Sequence, residues 1–329
     1  TTPPTNLLYA AGESFDPTGM AVSVTYADGK TANLAAGQYT VTPSVFAPGD
    51  DKVTISYSSS GVTVTADQPL TILSMGAPAL VDGFYELSSA DHMLWFANRV
   101  NVGRRASTKG KLTENIDLSA ATWTPIGNSA AIFYAGTFDG NGKTVTLAIE
   151  GSAAFAGLFG YIQDAAIKNL TVAGSVSGRQ NVAGIVAYAQ GSAIIQNCVN
   201  NAAVTGASYP VGGIAATAAG TVTISNCINN GDISSTSYPV GGVVGIAAGA
   251  VTVTGCTNTG SVSGDYHVGG IIGNNNGNNI INNCFNTGAV TATSTDTTAT
   301  YSVGGIVGYM NNYATTIDQC ANSGAISGG

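Results

Sequence analysis

The five cysteines are the residues of this chain whose type and spacing first suggest chemistry. Successive cysteines are 29, 29, 28 and 36 residues apart: Cys198, Cys227, Cys256, Cys284 and Cys320. Zinc sites use close pairs such as Cys-x2-Cys, and this spacing excludes them. Their number is odd, and Leu170 stands at the same phase of the preceding repeat, which indicates an apolar slot. We therefore predict buried free thiols, with no metal and no cofactor.

An asparagine follows each cysteine by two positions: Asn200, Asn229, Asn258, Asn286 and Asn322. A side-chain amide bonds the backbone at a sharp corner, and identical amides bond one another along a stack. The glycines at the next turn positions support this structural interpretation. A row of amides that bind a ligand is the alternative.

Acidic residues are too few and too scattered for a typical hydrolase. Residues 180–329 contain no lysine or arginine and four acids, no two of which share a repeat phase: Asp232, Asp265, Asp296 and Asp318. Glycoside hydrolysis needs a carboxyl pair about 5–9.5 Å apart. His92 and His267 lie in no catalytic motif, and Asp139 to Gly142 favours a tight turn over a calcium loop. The sequence therefore predicts that the chain is not an enzyme.

One tyrosine stands at the same phase in each of four successive repeats: Tyr209, Tyr238, Tyr266 and Tyr301. The preceding repeat has Gln180 there. Tyrosine combines apolar area with a polar hydroxyl, which suits a binding surface, and stacked aromatic rings also hold repeats together. These four tyrosines are the predicted ligand-binding residues, and a purely structural ladder is the alternative.

Composition limits the partners. Only 9% of the residues are charged, the net charge is −8, and 44 of the 329 residues are glycine. Nucleic acids and anionic membranes attract clustered lysine and arginine, so neither is an expected partner. The sequence has no run of apolar residues long enough to insert into a membrane.

The repeat itself predicts a parallel β-helix. Each unit carries three short β-type runs, for example Val211 to Ala215, Val222 to Asn226 and Asp232 to Ser235. Such runs are too short to fold alone, whereas coils stacked about 4.8 Å apart would pair each run with its equivalents. Cysteines, asparagines and valines would then form ladders along the solenoid.

The N-terminal part shows a different pattern, short alternating runs without cysteine, which predicts a small β-sandwich over residues 1–73. A linker is expected at 74–82, a helical cap with the leading coils at 83–127, and the repeat solenoid at 128–329. The capping helix should span Ser89 to Val100, with Ser88 and Asp91 as its capping pair. Its apolar face contains Met93, Phe96, Ala97 and Val100.

Two resemblances extend this interpretation. The segments Leu8-Tyr9, Gly12 to Asp16, Thr18 to Met20 and Tyr26 to Gly29 resemble the bacterial Ig-like domains of surface proteins, which serve as spacers. A recurring Gly-apolar-apolar-small signature resembles the GLUG motif of bacterial surface proteins: Gly157 to Gly160, Gly184 to Ala187, Gly213 to Ala216, Gly242 to Gly245, Gly270 to Gly273 and Gly305 to Gly308. The resemblances imply an all-β chain, an Ig-like β-sandwich followed by a parallel β-helix with a short capping helix.

The function predicted is that of a non-enzymatic adhesin or binding module at the bacterial cell surface. Its expected partners are a polysaccharide, a glycan or a host surface protein, together with neighbouring repeats or domains of a full-length chain. Two alternatives stay open: a carbohydrate-active β-helix enzyme, which needs converging acids, and a passive stalk, which needs no exposed tyrosine ladder.

Overall fold

The computed structural model describes residues 1–151, 153–236, 239–294 and 302–328. The N-terminal domain has seven strands: β1 (Leu8–Ala11), β2 (Val22–Thr25), β3 (Thr31–Leu34), β4 (Thr40–Thr42), β5 (Lys52–Ser59), β6 (Val62–Pro69) and β7 (Thr71–Gly76). β1 pairs with β7 in parallel, β2 with β3 in an antiparallel hairpin, and β4, β5 and β6 form an antiparallel sheet. Their core contains Tyr9, Phe46, Val53 and Leu70, in agreement with an Ig-like domain of alternating strands.

One helix, α1 (Ala90–Asn101), lies within the described residues. The backbone N–H of His92 donates to the Ser89 hydroxyl at 3.2 Å, so Ser89 is the N-cap. The expected capping role of Ser88 is wrong, because its hydroxyl lies 3.2 Å from the His92 ring nitrogen Nδ1 instead. The predicted apolar face of the helix is buried as expected.

The leading coils join the helix to the repeats. Their strands are β8 (Leu80–Val81), β9 (Phe84–Leu87), β10 (Gly110–Leu112), β11 (Ile116–Asp117), β12 (Thr137–Asp139), β13 (Thr144–Ile149), β14 (Phe159–Gln163), β15 (Ala166–Lys168) and β16 (Thr171–Gly178). Apart from the β8–β9 hairpin, these strands pair in parallel with the strands of the next coil.

Five further coils follow, each built from five short strands. The first two coils contain β17 (Val182–Ala183), β18 (Val186–Gly191), β19 (Ile194–Gln196), β20 (Val199–Asn200), β21 (Ala203–Gly206), β22 (Val211–Gly212), β23 (Ala215–Gly220), β24 (Thr223–Ser225), β25 (Ile228–Asn229) and β26 (Ile233–Ser235). The third and fourth contain β27 (Val240–Gly241), β28 (Val244–Gly249), β29 (Thr252–Thr254), β30 (Thr257–Asn258), β31 (Val262–Gly264), β32 (Val268–Gly269), β33 (Ile272–Gly277), β34 (Ile280–Asn282), β35 (Phe285–Asn286) and β36 (Val290–Ala292). The last contains β37 (Val303–Gly304), β38 (Val307–Met310), β39 (Thr316–Asp318), β40 (Ala321–Asn322) and β41 (Ile326–Ser327).

The expectation of three runs per coil is therefore wrong, and backbone turns explain the difference. The residue before each cysteine has a positive φ near 50–60°, a conformation that ends a strand: Asn197, Asn226, Gly255, Asn283 and Gln319. Asparagine and glycine adopt it most readily. Each coil consequently bends at this residue and starts a new strand at the residue after the cysteine.

The strands stack in register as parallel ladders along the solenoid. One face comprises β14, β18, β23, β28, β33 and β38, and a second comprises β17, β22, β27, β32 and β37. A longer, ten-stranded sheet extends from β8 to β39. One apolar core runs through the coils to α1 and reaches Ala10 and Leu73 of the N-terminal domain. The fold class is thus as predicted, all-β with an N-terminal Ig-like domain, a helix and a parallel β-solenoid. The helix of the described part is too short and too polar to cross a membrane.

Candidate binding groove

Four of the five cysteines are fully buried inside the solenoid, and all five are free thiols. Their sulfurs lie near backbone carbonyls; the Cys227 thiol, for example, lies 3.3 Å from the oxygen of Ser225. Cys320, in the last described coil, is only partly buried. The prediction of packed apolar thiols is therefore confirmed for four cysteines and holds only partly for Cys320.

The thiols form a continuous ladder, because equivalent positions of adjacent coils are in contact. The pKa values of Cys227, Cys256 and Cys284 are raised because each thiol donates a hydrogen bond to the preceding thiol and would lose that bond on ionisation, and burial adds to the increase. Burial is also the main cause of the raised pKa of Cys320. Since the thiolate is the nucleophile, raised pKa values make these cysteines less reactive than an ordinary free thiol.

We expect native-state alkylation to modify Cys320 first and the four buried thiols only after unfolding. The reason is access, since Cys320 alone has part of its side chain at the surface. Mass spectrometry after timed exposure to iodoacetamide would count the labels, with a urea-unfolded sample as the control for full reactivity. Equal labelling rates for Cys320 and Cys256 in the native protein would contradict the ladder.

The asparagines that follow the cysteines form a second, buried ladder. Each Nδ2 donates to Oδ1 of the next asparagine, at 2.8 Å from Asn200 to Asn229 and 2.7 Å from Asn229 to Asn258. Each Nδ2 also donates to a backbone carbonyl two residues further on, at 2.9 Å in every coil. Four of these side chains are at most 1% exposed. The structural interpretation is confirmed, because these amides are used within the stack.

Two of the four solenoid acids, Asp232 and Asp265, are hydrogen-bonded to hydroxyl groups of the next coil. Asp232 accepts from the Ser261 hydroxyl at 2.6 Å, and Asp265 accepts from the Thr293 hydroxyl at 2.7 Å. Asp296 lies outside the described residues. Among the residues that the structure describes, no three His, Cys, Asp or Glu side chains form a group that could hold a metal ion.

The two remaining sequence candidates for chemistry have structural roles. Asp139 accepts from the backbone N–H of Asn141 at 2.9 Å and lies 3.3 Å from the Lys168 ammonium, as expected for a turn. The His267 ring stacks on Tyr309 at a centroid distance of 4.2 Å, and its Nδ1 lies 2.7 Å from the Ser302 hydroxyl. Burial lowers the pKa of His267, which favours the neutral imidazole.

The structure describes two of the four predicted tyrosines. Tyr209 is 48% exposed, whereas Tyr266 is half-buried. Tyr238 and Tyr301 lie outside the described residues. All four tyrosines precede by two positions the valines that pair in register along the second face: Val211, Val240, Val268 and Val303. The in-phase arrangement follows from this register, and ligand binding by the four tyrosines stays a prediction.

A second column, which the sequence analysis missed, lies beside Tyr209. It occupies the fourth position after each signature glycine, and successive members pair in register: Tyr161, Tyr188, Thr217, Ile246, Asn274 and Tyr309. The rings of Tyr161 and Tyr188 stack at 4.7 Å with an interplanar angle of 10°, and Phe155 packs edge-on against both. The sequence feature that could have revealed this column is the recurrence of tyrosine at its phase, in three of the six coils.

The two columns enclose a groove of about 440 Å³ on the side of the solenoid. Seven residues line it, none of them charged: Gln180, Asn181, Tyr188, Tyr209, Pro210, Thr217 and Ile246. Two aromatic rings, two amides and a hydroxyl thus border one shallow depression. We call these seven residues the tyrosine groove.

Hydrogen bonds hold the polar edge of the tyrosine groove in place. Asn181 has a positive φ of 44°, and its backbone N–H donates to the Tyr209 carbonyl at 2.6 Å. The Thr217 hydroxyl donates to Asn181 Oδ1 at 2.9 Å. Asn181 Nδ2 in turn donates to the Ala154 carbonyl at 3.4 Å, so contacts with three neighbouring segments preorganise this amide at the edge of the groove.

Comparison with known proteins identifies one of the two domains. Residues 2–67 match the family model of the bacterial Ig-like domain (group 3), which confirms the predicted Ig-like domain. No curated protein matches the chain. The GLUG assignment of the repeats stays a prediction.

Two solved structures are similar to the chain. One is described as a candidate immunoglobulin A1 protease from Bacteroides ovatus, with a TM-score of 0.48 and 20% identity over 70% of this chain and 85% of that chain. The other is described as an IgA1 protease, with a TM-score of 0.45 and 13% identity over 93% of this chain. The chain spans 28% of the length of that second protein. Similarity this weak carries no argument about catalysis.

Proposed function

We propose that this chain is a non-enzymatic binding module of a bacterial cell-surface adhesin, with the Ig-like domain as spacer and GLUG-type coils as the binding part. The ligand is a neutral glycan that lies along the tyrosine groove. A host surface protein is the second candidate ligand. The observation that carries the proposal is the juxtaposition of Tyr188 and Tyr209 with uncharged amide and hydroxyl groups in one groove.

The composition of the groove favours sugars. The apolar face of a sugar ring packs on an aromatic ring, while amides and hydroxyls satisfy the sugar hydroxyls. In-register coils repeat about every 4.8 Å, so the column from Tyr161 to Tyr309 extends over about 24 Å. Tyr161 and Thr217 are each only 7% exposed, so the sugar units pack on Tyr188 and Tyr209 while the buried members of the column support them. Ligand contacts from Tyr238, Tyr266 and Tyr301 are predicted from their shared repeat phase with Tyr209.

The alternatives need features other than those of the groove. A carbohydrate-active enzyme would place a carboxyl pair against the ligand, whereas none of the seven groove residues is acidic. A passive stalk would need no preorganised amide beside an exposed tyrosine. The Ig-like domain, a type that the sequence resemblance links to surface proteins, supports an extracellular location.

We expect Tyr188→Ala combined with Tyr209→Ala to weaken glycan binding by about tenfold or more, since both ring platforms are lost. The measurement is a glycan-array screen followed by calorimetry on the best ligand. Tyr26→Ala with Tyr313→Ala is the matched control, because it removes two tyrosines that are about half exposed elsewhere. Tyr238→Ala with Tyr266→Ala tests the remaining predicted contacts.

Affinity should change little between low and physiological salt, because the groove is uncharged. Unchanged binding in a folded Tyr188/Tyr209 double variant would place the site elsewhere. Turnover of any polysaccharide by the wild-type chain would favour the enzyme alternative.

A further inference from the structure

A cleft of about 350 Å³ lies between the Ig-like domain and the C-terminal end of α1. Its two walls are joined by direct contacts. Trp95 Nε1 donates to Glu13 Oε1 at 2.8 Å, and Asn98 Nδ2 donates to the Asn6 side chain at 2.9 Å and to the Leu8 carbonyl at 3.0 Å. The shape of the cleft therefore depends on packed and hydrogen-bonded groups of both domains.

Basic residues are concentrated on the helix side of this cleft. Residues 99–111 contain five of the ten lysines and arginines of a chain with a net charge of −8. Three arginines line the cleft: Arg99, Arg104 and Arg105. The ion pairs found among the described residues use lysines only, so these three guanidinium groups carry no ion pair within that part of the chain.

Arg99 is held in a fixed orientation without a polar partner for its Nε. Its guanidinium carbon lies 5.0 Å from the Tyr85 ring centroid and 5.1 Å from that of Trp95. Arg99 Nε is buried and makes no hydrogen bond in the described structure. Aromatic contacts of this kind orient a guanidinium but leave its terminal N–H groups available to an anion.

The favourable interaction of a cation with the C-terminal end of a helix explains only one of the three arginines in the cleft. A cation in the last turn of a helix is favourable, which accounts for Arg99. Arg104 donates to the Ala131 carbonyl at 3.1 Å, a structural contact. The exposed Arg105 side chain has no such role among the described residues.

The acids on the opposite wall are already engaged by neutral donors. Glu13 accepts from Trp95 through Oε1 and from the backbone N–H of Ala10, at 2.8 Å, through Oε2. Asp16 Oδ1 accepts from the backbone N–H of Thr18 at 3.0 Å. The arginines are thus left for an external anion, while the carboxylates still accept hydrogen bonds from hydroxyl groups.

We propose that this cleft binds an acidic sugar residue, a uronic or a sialic acid, through its carboxylate. Arg99 and Arg105 pair with the carboxylate, and Asn98, Thr18 and Asp16 contact the sugar hydroxyls. A planar carboxylate matches the guanidinium fork. A free phosphate fits less well than a singly charged carboxylate, because it carries more negative charge into a cleft that already contains Glu13 and Asp16. This site is separate from the tyrosine groove and does not depend on it.

The test is calorimetric titration of the complete chain with four probes: methyl glucuronide, N-acetylneuraminic acid, methyl glucoside and inorganic phosphate. We expect one or both acidic sugars to bind about tenfold more tightly than the glucoside and phosphate, and to weaken with added salt. Comparison of the two acidic sugars identifies which acid the cleft prefers. Failure of both to bind, or equal binding of the glucoside or of phosphate, would overturn the proposal.

Variants locate the binding. Arg99→Lys with Arg105→Ala removes both guanidinium groups and should reduce affinity about tenfold or more. Lys109→Ala, which removes one charge from the same segment outside the cleft lining, is the matched control and should change affinity less than about twofold. Arg105→Ala alone changes only an exposed side chain and serves if the double variant does not fold. Acid-sugar binding that survives Arg105→Ala unchanged would also contradict the proposal.

Discussion

Asn229→Ala is expected to reduce the free energy of unfolding by about 3 kcal/mol. Asn229 is fully buried, accepts from Asn200 and donates to Asn258 and to the Gly231 carbonyl. Alanine would leave a donor on one neighbour and an acceptor on the other without partners, and would open a cavity. Each unsatisfied buried group costs about 1–3 kcal/mol, and the cavity adds to that cost.

The adjacent Asn230→Ala is the matched control. Asn230 is exposed, and its amide donates to Asn201 at the surface, so the expected loss is within about 0.5 kcal/mol. Urea unfolding followed by far-UV circular dichroism measures both variants, and hydrogen exchange locates the weakened coils. Similar losses for Asn229→Ala and Asn230→Ala would show that the buried ladder contributes little.

A comparable loss, about 3 kcal/mol, is expected for Gly242→Ala. A Cβ at Gly242 would overlap the Gly270 carbonyl oxygen and the Asn258 side chain, whose Oδ1 would lie 2.6 Å away. Displacing either group would cost hydrogen bonds, since Gly270 belongs to the paired backbone of the next coil and Asn258 to the amide ladder. The first glycine of the signature, in the five coils from Gly184 to Gly305, therefore leaves room for the asparagine side chains of the amide ladder.

Gly76→Ala provides the control for the loss of a glycine. Its nearest atom would be the Ala11 carbonyl oxygen at 3.7 Å, an ordinary contact, so stability should change by less than about 0.5 kcal/mol. Both variants are compared by urea unfolding of the complete chain. A Gly242→Ala protein as stable as Gly76→Ala would contradict the steric explanation.

The sequence predicted the repeating features because each of them recurs at a constant phase. The buried cysteines and the amide ladder follow from residues that stack once the coils pair in register. The Ig-like strands were predicted separately, from the short alternating runs of the N-terminal part. The position of the helix was predicted, but its cap was misplaced by one residue. Ser88 and Ser89 are both capping residue types, and only the backbone geometry at Ser89 distinguishes them.

The division of each coil into five strands was not predicted, since an apolar run does not reveal where the backbone turns. Val211 to Ala215 was interpreted as one strand, but Gly213 and Ile214 separate β22 from β23. The outward column of Tyr188 and Thr217 was missed for a related reason. Its members differ in chemistry from coil to coil, so only the structural register groups them.

The sequence by itself determined the solenoid, because in-phase side chains 28–36 residues apart must stack once the coils pair in parallel. It also gave Tyr209 the same repeat phase as three other tyrosines. Only the tertiary structure decided what surrounds that tyrosine, since the groove needs the contact of Asn181 with Thr217, 36 residues away. The arginine cleft likewise exists only where Glu13 meets Trp95, 82 residues apart, and no repeat phase encodes how two domains pack.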